Sequence, residues 1–242
     1  MGGLGGQDDM DGIAAGMIEC GSGTRRGSID LEQLRKEIPA LGRVIYMNTG
    51  SSGPSPRAAQ EAEAAASRRI YDDGPALPSS LAYMERILAQ ARQRLASCLG
   101  GTLSKGIVTG TGAGGDTGTV SEAEIALTQS ASHGISIVAS GLRWRPGDQV
   151  IVSRLEHTSG LLPWFHYRRL YGIELVWVPE TGSTLDPRTV AAAITPRTRL
   201  ISISHVSYAT GARLPVEEIA EIAARRGRMF SSTGPRRWVQ SR

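Results

Sequence analysis

From Glu124 onward, short apolar runs alternate with helical stretches over brief connections, and that rhythm limits the fold more than any other property of the chain. Glu124–Thr128, Gln149–Ser153, Ile173–Val178 and Leu200–His205 read as strands. Between them, the spacing of Ile135, Val138, Ala139 and Leu142 marks one helix and Ser159–Tyr171 forms another. Asp186-Pro187 opens a third through Ile194, because proline suits the first turn of a helix. Pro215 opens a fourth that carries Val216, Ile219, Ala220 and Ala223. Strands alternating with helices imply an α/β fold, a mostly parallel sheet with helices on both faces. Ligands of such sheets sit at the carboxyl ends of the strands. Gln129–Gly134, Glu156–Ser159 and Val206–Gly211 occupy those ends and are largely polar or small.

The earlier part of the chain is organised differently. Residues 1–27 are rich in glycine without an apolar period, and read as a disordered leader or the product of a start codon placed too early. Residues 28–100 form an N-terminal helical and entry segment. In it Ser28 or Asp30 caps a helix carrying Leu31, Leu34 and Ile38, which Pro39 ends. Val44–Met47 reads as a short strand, Asn48–Pro56 as a Gly/Ser/Pro loop and Arg57–Ile70 as an alanine-rich helix. From Ser79 to Cys98 the positions Leu81, Met84, Leu88, Ala91, Leu95 and Cys98 keep the spacing of an amphipathic helix. Residues 101–119 are a Gly-rich insertion. Seven glycines between 101 and 118 cost too much backbone entropy for a packed element, and Gly110-Thr111-Gly112 lacks the flanking strand and helix of a phosphate loop.

Charge and composition exclude several classes. The net charge of +4 and pI near 9.4 come from basic residues scattered among acidic ones, a solvated surface rather than a nucleic-acid footprint. No run reaches the ~18 apolar residues of a membrane helix, and the opening residues do not form a signal peptide, so no membrane partner and a cytoplasmic setting are expected. Cys20 and Cys98 fit no disulfide framework or metal spacing, and Cys98 on an apolar helical face reads as a buried thiol. Nearly all basic residues are arginine, whose pKa is too high for an amine nucleophile. A Schiff base in this chain has only Lys36 and Lys105 to use.

Three segments can carry chemistry. Thr128–Gly134 joins a strand to a helix, so its free N–H groups, serine hydroxyls and helix dipole make an anion site, unless Ser130 or Ser132 simply caps the helix. Arg145–Ser159 runs from a Pro-Gly-Asp turn through an apolar strand to Glu156-His157-Thr158-Ser159. His157 is there either a loop residue or an imidazole that meets a ligand. Ile201–Tyr208 is a third strand with a polar end, where His205 is either a structural histidine or part of a site.

In this order the segments resemble the core of the pyridoxal-phosphate (PLP) enzymes of aminotransferase class V, the family that includes cysteine desulfurases and isopenicillin-N-epimerase-like members. The resemblance covers Asp30–Gly227 apart from the insertion. It implies the PLP-dependent transferase fold type I, with residues 120–230 as its incomplete large domain and 231–242 as an aberrant tail. By this match Ala131 and Ser132 donate to the cofactor phosphate, and His157 stacks on the pyridine ring. Tyr208 takes a cofactor position where desulfurases typically carry asparagine. The loop Asn48–Pro54, with Asn48 and Gly50, falls on the substrate side. The intact relative is a homodimer that takes an amino acid as an external aldimine on PLP, with a lysine moving protons at the alpha carbon.

The family pattern stops after Phe230. Thr233 stands where the resemblance calls for an aspartate against the pyridine nitrogen, Arg236 replaces a glutamine, and the sequence reaches Arg242 without the Schiff-base lysine. The resemblance thus assigns no catalytic residue within this chain. It implies a truncated, split or frameshifted gene whose product needs a second copy or a complementing C-terminal chain. Three readings stay open: a general class V aminotransferase or epimerase-like enzyme, a cysteine desulfurase-like protein, or a noncatalytic fragment. An unfinished sheet leaves an exposed edge, which predicts aggregation or dependence on a partner.

Overall fold

The computed structural model describes residues 30–98 and 120–233. The expectations for the leader, Ser28, Cys20, the Gly-rich insertion with Lys105, Arg236 and most of the tail lie outside the described residues. The chain divides into two compact units at the bond between Ala126 and Leu127.

The N-terminal unit is helical. Helix α1 (Leu31–Glu37) starts at Asp30, whose side chain accepts from the N–H groups of Glu32 and Gln33, and a 3₁₀ turn over Pro39–Gly42 follows it. Helices α2 (Arg57–Asp73) and α3 (Pro78–Cys98) come next. The guanidinium of Arg69 on α2 lies 4.2 Å from the ring centre of Tyr83 on α3. Helix α3 buries Ser80, Tyr83 and Ala96, whereas Leu81, Leu88 and Leu95 of the anticipated apolar face stay exposed. Cys98 is exposed too, which corrects its reading as a buried thiol.

Two expected strands are absent among the described residues. Val44–Met47 is extended but unpaired, and Ile45 and Met47 are 92% and 90% exposed. Glu124 closes a 3₁₀ turn (Glu122–Glu124) through a capping box with Ser121, and residues 125–128 pair with no strand. Apolar content favours a strand, yet a strand exists only where a ladder partner takes its N–H and C=O groups.

The C-terminal unit holds the parallel sheet. Its strands are β1 (Gln149–Ser153), β2 (Glu174–Val178), β3 (Thr198–Ser202) and β4 (Met229–Ser231), in the order β2-β1-β3-β4 with every pair parallel. Helix α4 (Ala131–Gly141) precedes β1, α5 (Thr158–Tyr171) joins β1 to β2, α6 (Pro187–Ala193) joins β2 to β3, and α7 (Val216–Arg225) joins β3 to β4. The pleat sends alternate residues to opposite faces. Val150, Val152 and Leu200 pack with Ile135 and Ala139 of α4 and Trp164 of α5. Ile151, Ile201 and Phe230 pack with Val190 of α6 and Val216, Ile219 and Ala223 of α7. Both faces are therefore covered, as the alternation predicts. Asp186 caps α6 as anticipated, whereas Pro215 is the N-cap of α7 and its first helical residue is Val216.

Local chemistry sets the entry to β1. Pro146 and Gly147 (φ +82°) form the turn, with Asp148 N–H donating to Arg145 O at 3.0 Å and Gly147 N–H to Gly172 O at 2.9 Å. Only a residue without Cβ holds that φ cheaply at the third position of such a turn. Connections leave β1 toward β2 and β3 toward β4, in opposite directions. The crevice between the carboxyl ends of β1 and β3 is thus the topological switch point, where open α/β sheets bind ligands. No described helix is long and apolar enough to cross a membrane.

Candidate functional site

Three chain segments converge around the switch point: the turn from β1 into α5, the hairpin after β3, and the start of α4. His157 is the N-cap of α5, and its Nδ1 accepts the Ser159 N–H at 3.1 Å while Ser159 Oγ lies at 2.6 Å from the same nitrogen. A nitrogen that accepts a backbone N–H carries no proton of its own, so Nε2 is the free, outward-acting end of the imidazole. Tyr208 meets it edge-on, with ring centroids 4.7 Å apart and planes at 82°. Both side chains lie open to solvent, Tyr208 at 64%.

The hairpin that presents Tyr208 is built by its own hydroxyls. Ser207 Oγ donates to Leu155 O at 3.2 Å and accepts from the N–H groups of Ala209 and Thr210, so it ties the loop after β3 to the loop after β1. His205 is buried at the base, and its Nε2 accepts from Arg213 Nε at 3.0 Å. Arg213 Nη2 reaches Glu217 at 2.7 Å. Glu217's own backbone N–H, then the bond from Arg213, hold that carboxyl below the usual carboxylate range. His205 is thus a structural residue of the hairpin.

Helix α4 supplies donors. Ser130 is the N-cap and takes the His133 N–H on its Oγ at 3.2 Å, and Gly134 N–H reaches Ser130 O. Ala131 and Ser132 occupy the first turn, where backbone N–H groups have no intrahelical acceptor. Ser132 Oγ donates to Ser159 O at 3.2 Å. That carbonyl is available because Pro163, four residues on inside α5, has no N–H to give it. Ser159 consequently links both predicted groups, taking Ser132 through its carbonyl and His157 through its N–H and hydroxyl.

Beneath the exposed imidazole is a buried carboxyl. Glu156 is 6% exposed; its Oε1 accepts the Ser204 N–H at 2.7 Å and its Oε2 accepts from Ser204 Oγ. Burial pushes the carboxyl above the usual carboxylate range, and the side-chain and backbone bonds from Ser204 pull it partly back. Ser204 Oγ lies 2.6 Å from Thr233 Oγ1, and His205 N–H donates to Thr233 O at 2.9 Å. Sequence reasoning missed Ser159, Glu156 and Ser204 as site residues. The signal for one of them was the step from Glu156 to His157, which puts one polar residue inward and the next at the rim.

Asn48 and Gly50 belong to the N-terminal unit. Asn48 O accepts from Ser51 and Ser52 N–H, and Tyr46 Oη closes the loop onto Ser52 O at 2.6 Å. A Cβ at Gly50 would meet nothing within 4 Å, so nothing steric requires glycine there. Lys36 lies on α1 in that unit.

Residues 117–231 match the family model Aminotransferase class-V. The chain is 30% identical over 201 residues to a probable cysteine desulfurase of Methanothermobacter thermautotrophicus, covering 82% of this chain and 45% of that protein. It is 31% identical over 204 residues to the isopenicillin N epimerase of Streptomyces clavuligerus, covering 82% and 46%. The chain thus spans just under half the length of these curated relatives. Among solved structures, a C-DES mutant with glycine covalently linked to its PLP cofactor superposes with a TM-score of 0.70 at 24% identity, over 84% of this chain and 49% of that one. The apo cysteine desulfurase of Thermococcus onnurineus gives 0.62 at 23% identity, over 87% and 48%. These likenesses show the fold. Over residues 117–231, the chain is similar to the aminotransferase class-V family.

Proposed function

We propose that this chain provides the cofactor-binding part of a PLP-dependent class V enzyme acting on an amino acid, in the cytoplasm, as a homodimer or with a complementing chain. One observation carries the reading: His157 and Tyr208 meet at 4.7 Å at the switch point, joined through Ser159 to the first turn of α4. The residues present fit a phosphorylated aromatic ring. The first-turn N–H groups of Ala131 and Ser132, with the positive end of the α4 dipole, suit a phosphate, and an exposed imidazole with a fixed Nδ1 suits a flat ring beside it.

When bound, PLP supplies an electron sink that draws charge from the substrate's alpha carbon. The protein's own contribution is position and proton placement. Ala131 and Ser132 donate to the phosphate. Ser159 fixes the tautomer of His157, which orients the ring with its face and holds a proton at Nε2. Tyr208 limits how far that imidazole swings.

A cysteine desulfurase-like activity is the second reading, favoured by the named activity of one relative, while Tyr208 in place of the asparagine typical of desulfurases favours an aminotransferase or epimerase. A noncatalytic role, holding cofactor for a second chain, is favoured by the scarcity of lysine: the sequence has only Lys36 and Lys105. Adding PLP and reducing with borohydride separates these readings. A visible band, competition by inorganic phosphate and no trapped lysine adduct indicate binding without a lysine of this chain. No band and no phosphate competition refute cofactor binding altogether.

A further inference from the structure

Glu156, Ser204 and Thr233 come from the ends of three adjacent strands, β1, β3 and β4, and form an unbroken file of hydrogen bonds. Glu156 is the buried root, Ser204 is 7% exposed, and Thr233 is the half-buried outer member. Among the described residues Glu156 meets no charged partner. Ser204 supplies both of its bonds, and a Cβ on Gly160 would lie 3.6 Å from Oε2. The titratable neighbours on the packed elements are His157, held at Nδ1 by Ser159, and His205, whose Nε2 faces Arg213.

Each hydroxyl has one proton, so the file has a direction. With Glu156 ionised, Ser204 donates to Glu156 and Thr233 donates to Ser204, leaving Thr233 Oγ1 with lone pairs only. With Glu156 protonated, its own O–H donates to Ser204 Oγ, Ser204 donates to Thr233 Oγ1, and the Thr233 O–H is released outward. A proton gained at the root reverses both bonds and emerges as a donor at the tip, with no heavy atom displaced. Burial pushes Glu156 upward from its ordinary carboxylate range, which favours the protonated root relative to an exposed glutamate.

We propose that Glu156–Ser204–Thr233 is a reversible relay whose root sets whether Thr233 Oγ1 offers a proton or a lone pair to the ring nitrogen of a bound heteroaromatic ligand. The relay rests on the cofactor-binding reading above, and its test keeps the two apart. The probe is pyridoxine phosphate, which has no aldehyde to react with lysine, alongside its analogue with C–H in place of the ring nitrogen. Affinities are measured by calorimetry for the wild type, T233V and E156Q across the pH range in which Glu156 titrates. That range is located in ligand-free protein from the carboxyl infrared band lost in E156Q.

T233V should weaken pyridoxine phosphate about two- to tenfold, the worth of one hydrogen bond, and leave the C–H analogue unchanged, which also certifies the fold. E156Q should remove the protein's share of the pH dependence. Its amide carbonyl accepts the Ser204 N–H and its amide N–H donates to Ser204 Oγ, which fixes the file in the proton-offering direction. The ligand's own titration is common to both proteins and cancels. If neither compound binds the wild type, the cofactor reading fails and takes the relay with it. If both bind but T233V and E156Q leave the difference between them unchanged at every pH, the relay is overturned and the cofactor reading stands. A Glu156 band that titrates like an ordinary glutamate overturns it as well.

Discussion

The bond that seats α5 on the sheet provides a direct test of how the site is positioned. Trp164 is fully buried, and its Nε1 donates to Ser202 Oγ at 3.1 Å, from the middle of α5 to the last residue of β3. Because His157 caps the start of α5, this contact helps set where the imidazole stands. S202A leaves an indole N–H buried without an acceptor, at a cost of about 1–3 kcal/mol. W164F keeps an aromatic ring against Val150 and Val152 but loses the N–H and some volume, for about 1–3 kcal/mol. In the double variant both partners are gone, so the desolvation penalty falls away and a coupling of about 1 kcal/mol should remain. Urea unfolding of the four proteins measures it. In heat unfolding, each kcal/mol corresponds to about 4–8 °C in a domain of this size. Single-variant losses that add to the double-variant loss within ~0.3 kcal/mol would refute the claim that this bond holds α5 in register.

Four further outcomes follow from particular contacts. Glu156 has a folded pKa above its ordinary 4.5, so wild-type stability should fall as pH rises from that value through the folded one; in E156Q this component of the slope should vanish, as denaturant melts in a pH series would reveal. P163A restores an N–H that competes with Ser132 Oγ for Ser159 O, and should weaken pyridoxine phosphate roughly two- to fivefold without unfolding the protein. G147A puts a Cβ on a residue at φ +82° and should destabilise by more than about 1 kcal/mol, whereas G50A, with nothing within 4 Å, should be close to neutral in the same melts. D186A removes the acceptor for Arg188 N–H at 2.8 Å and should cost about 1 kcal/mol in chemical denaturation.

What the sequence disclosed, and what it hid, follows from the range of each interaction. β1 could be read residue for residue because Gln149–Ser153 is buried on both faces and reads as a continuous apolar run after a Pro-Gly-Asp turn. The helix starts at Asp186 and Ser130 were legible because a cap is local, a side chain reaching an N–H two or three residues ahead. Val44–Met47 and Glu124–Thr128 misled because pairing is not local: nothing within either segment reports whether another strand lies alongside. The candidate site divides the same way. His157 could be picked out from its turn and strand, but the bonds from Glu156 to Ser204 span 48 residues and that from Ser204 to Thr233 spans 29. Serine and threonine carry no pattern that announces a partner so far along the chain.

Glu156 and His157 show why adjacent residues on one turn can take opposite tasks. An extended backbone sends successive side chains to opposite sides, so the turn after β1 places one ionisable group in the protein and the next at its surface. The buried one is costly unless its oxygens are satisfied, and Ser204 satisfies both, which fixes the end of β1 to the end of β3. The exposed one is then held by a turn that cannot drift, and capping α5 through Ser159 gives it a defined tautomer. The order of dependence runs from the inside outward. Replacing His157 removes a group at the rim and leaves the Glu156–Ser204 tie intact. Replacing Glu156 by alanine orphans the Ser204 N–H and frees the turn, and the imidazole loses its place although no atom of it has changed.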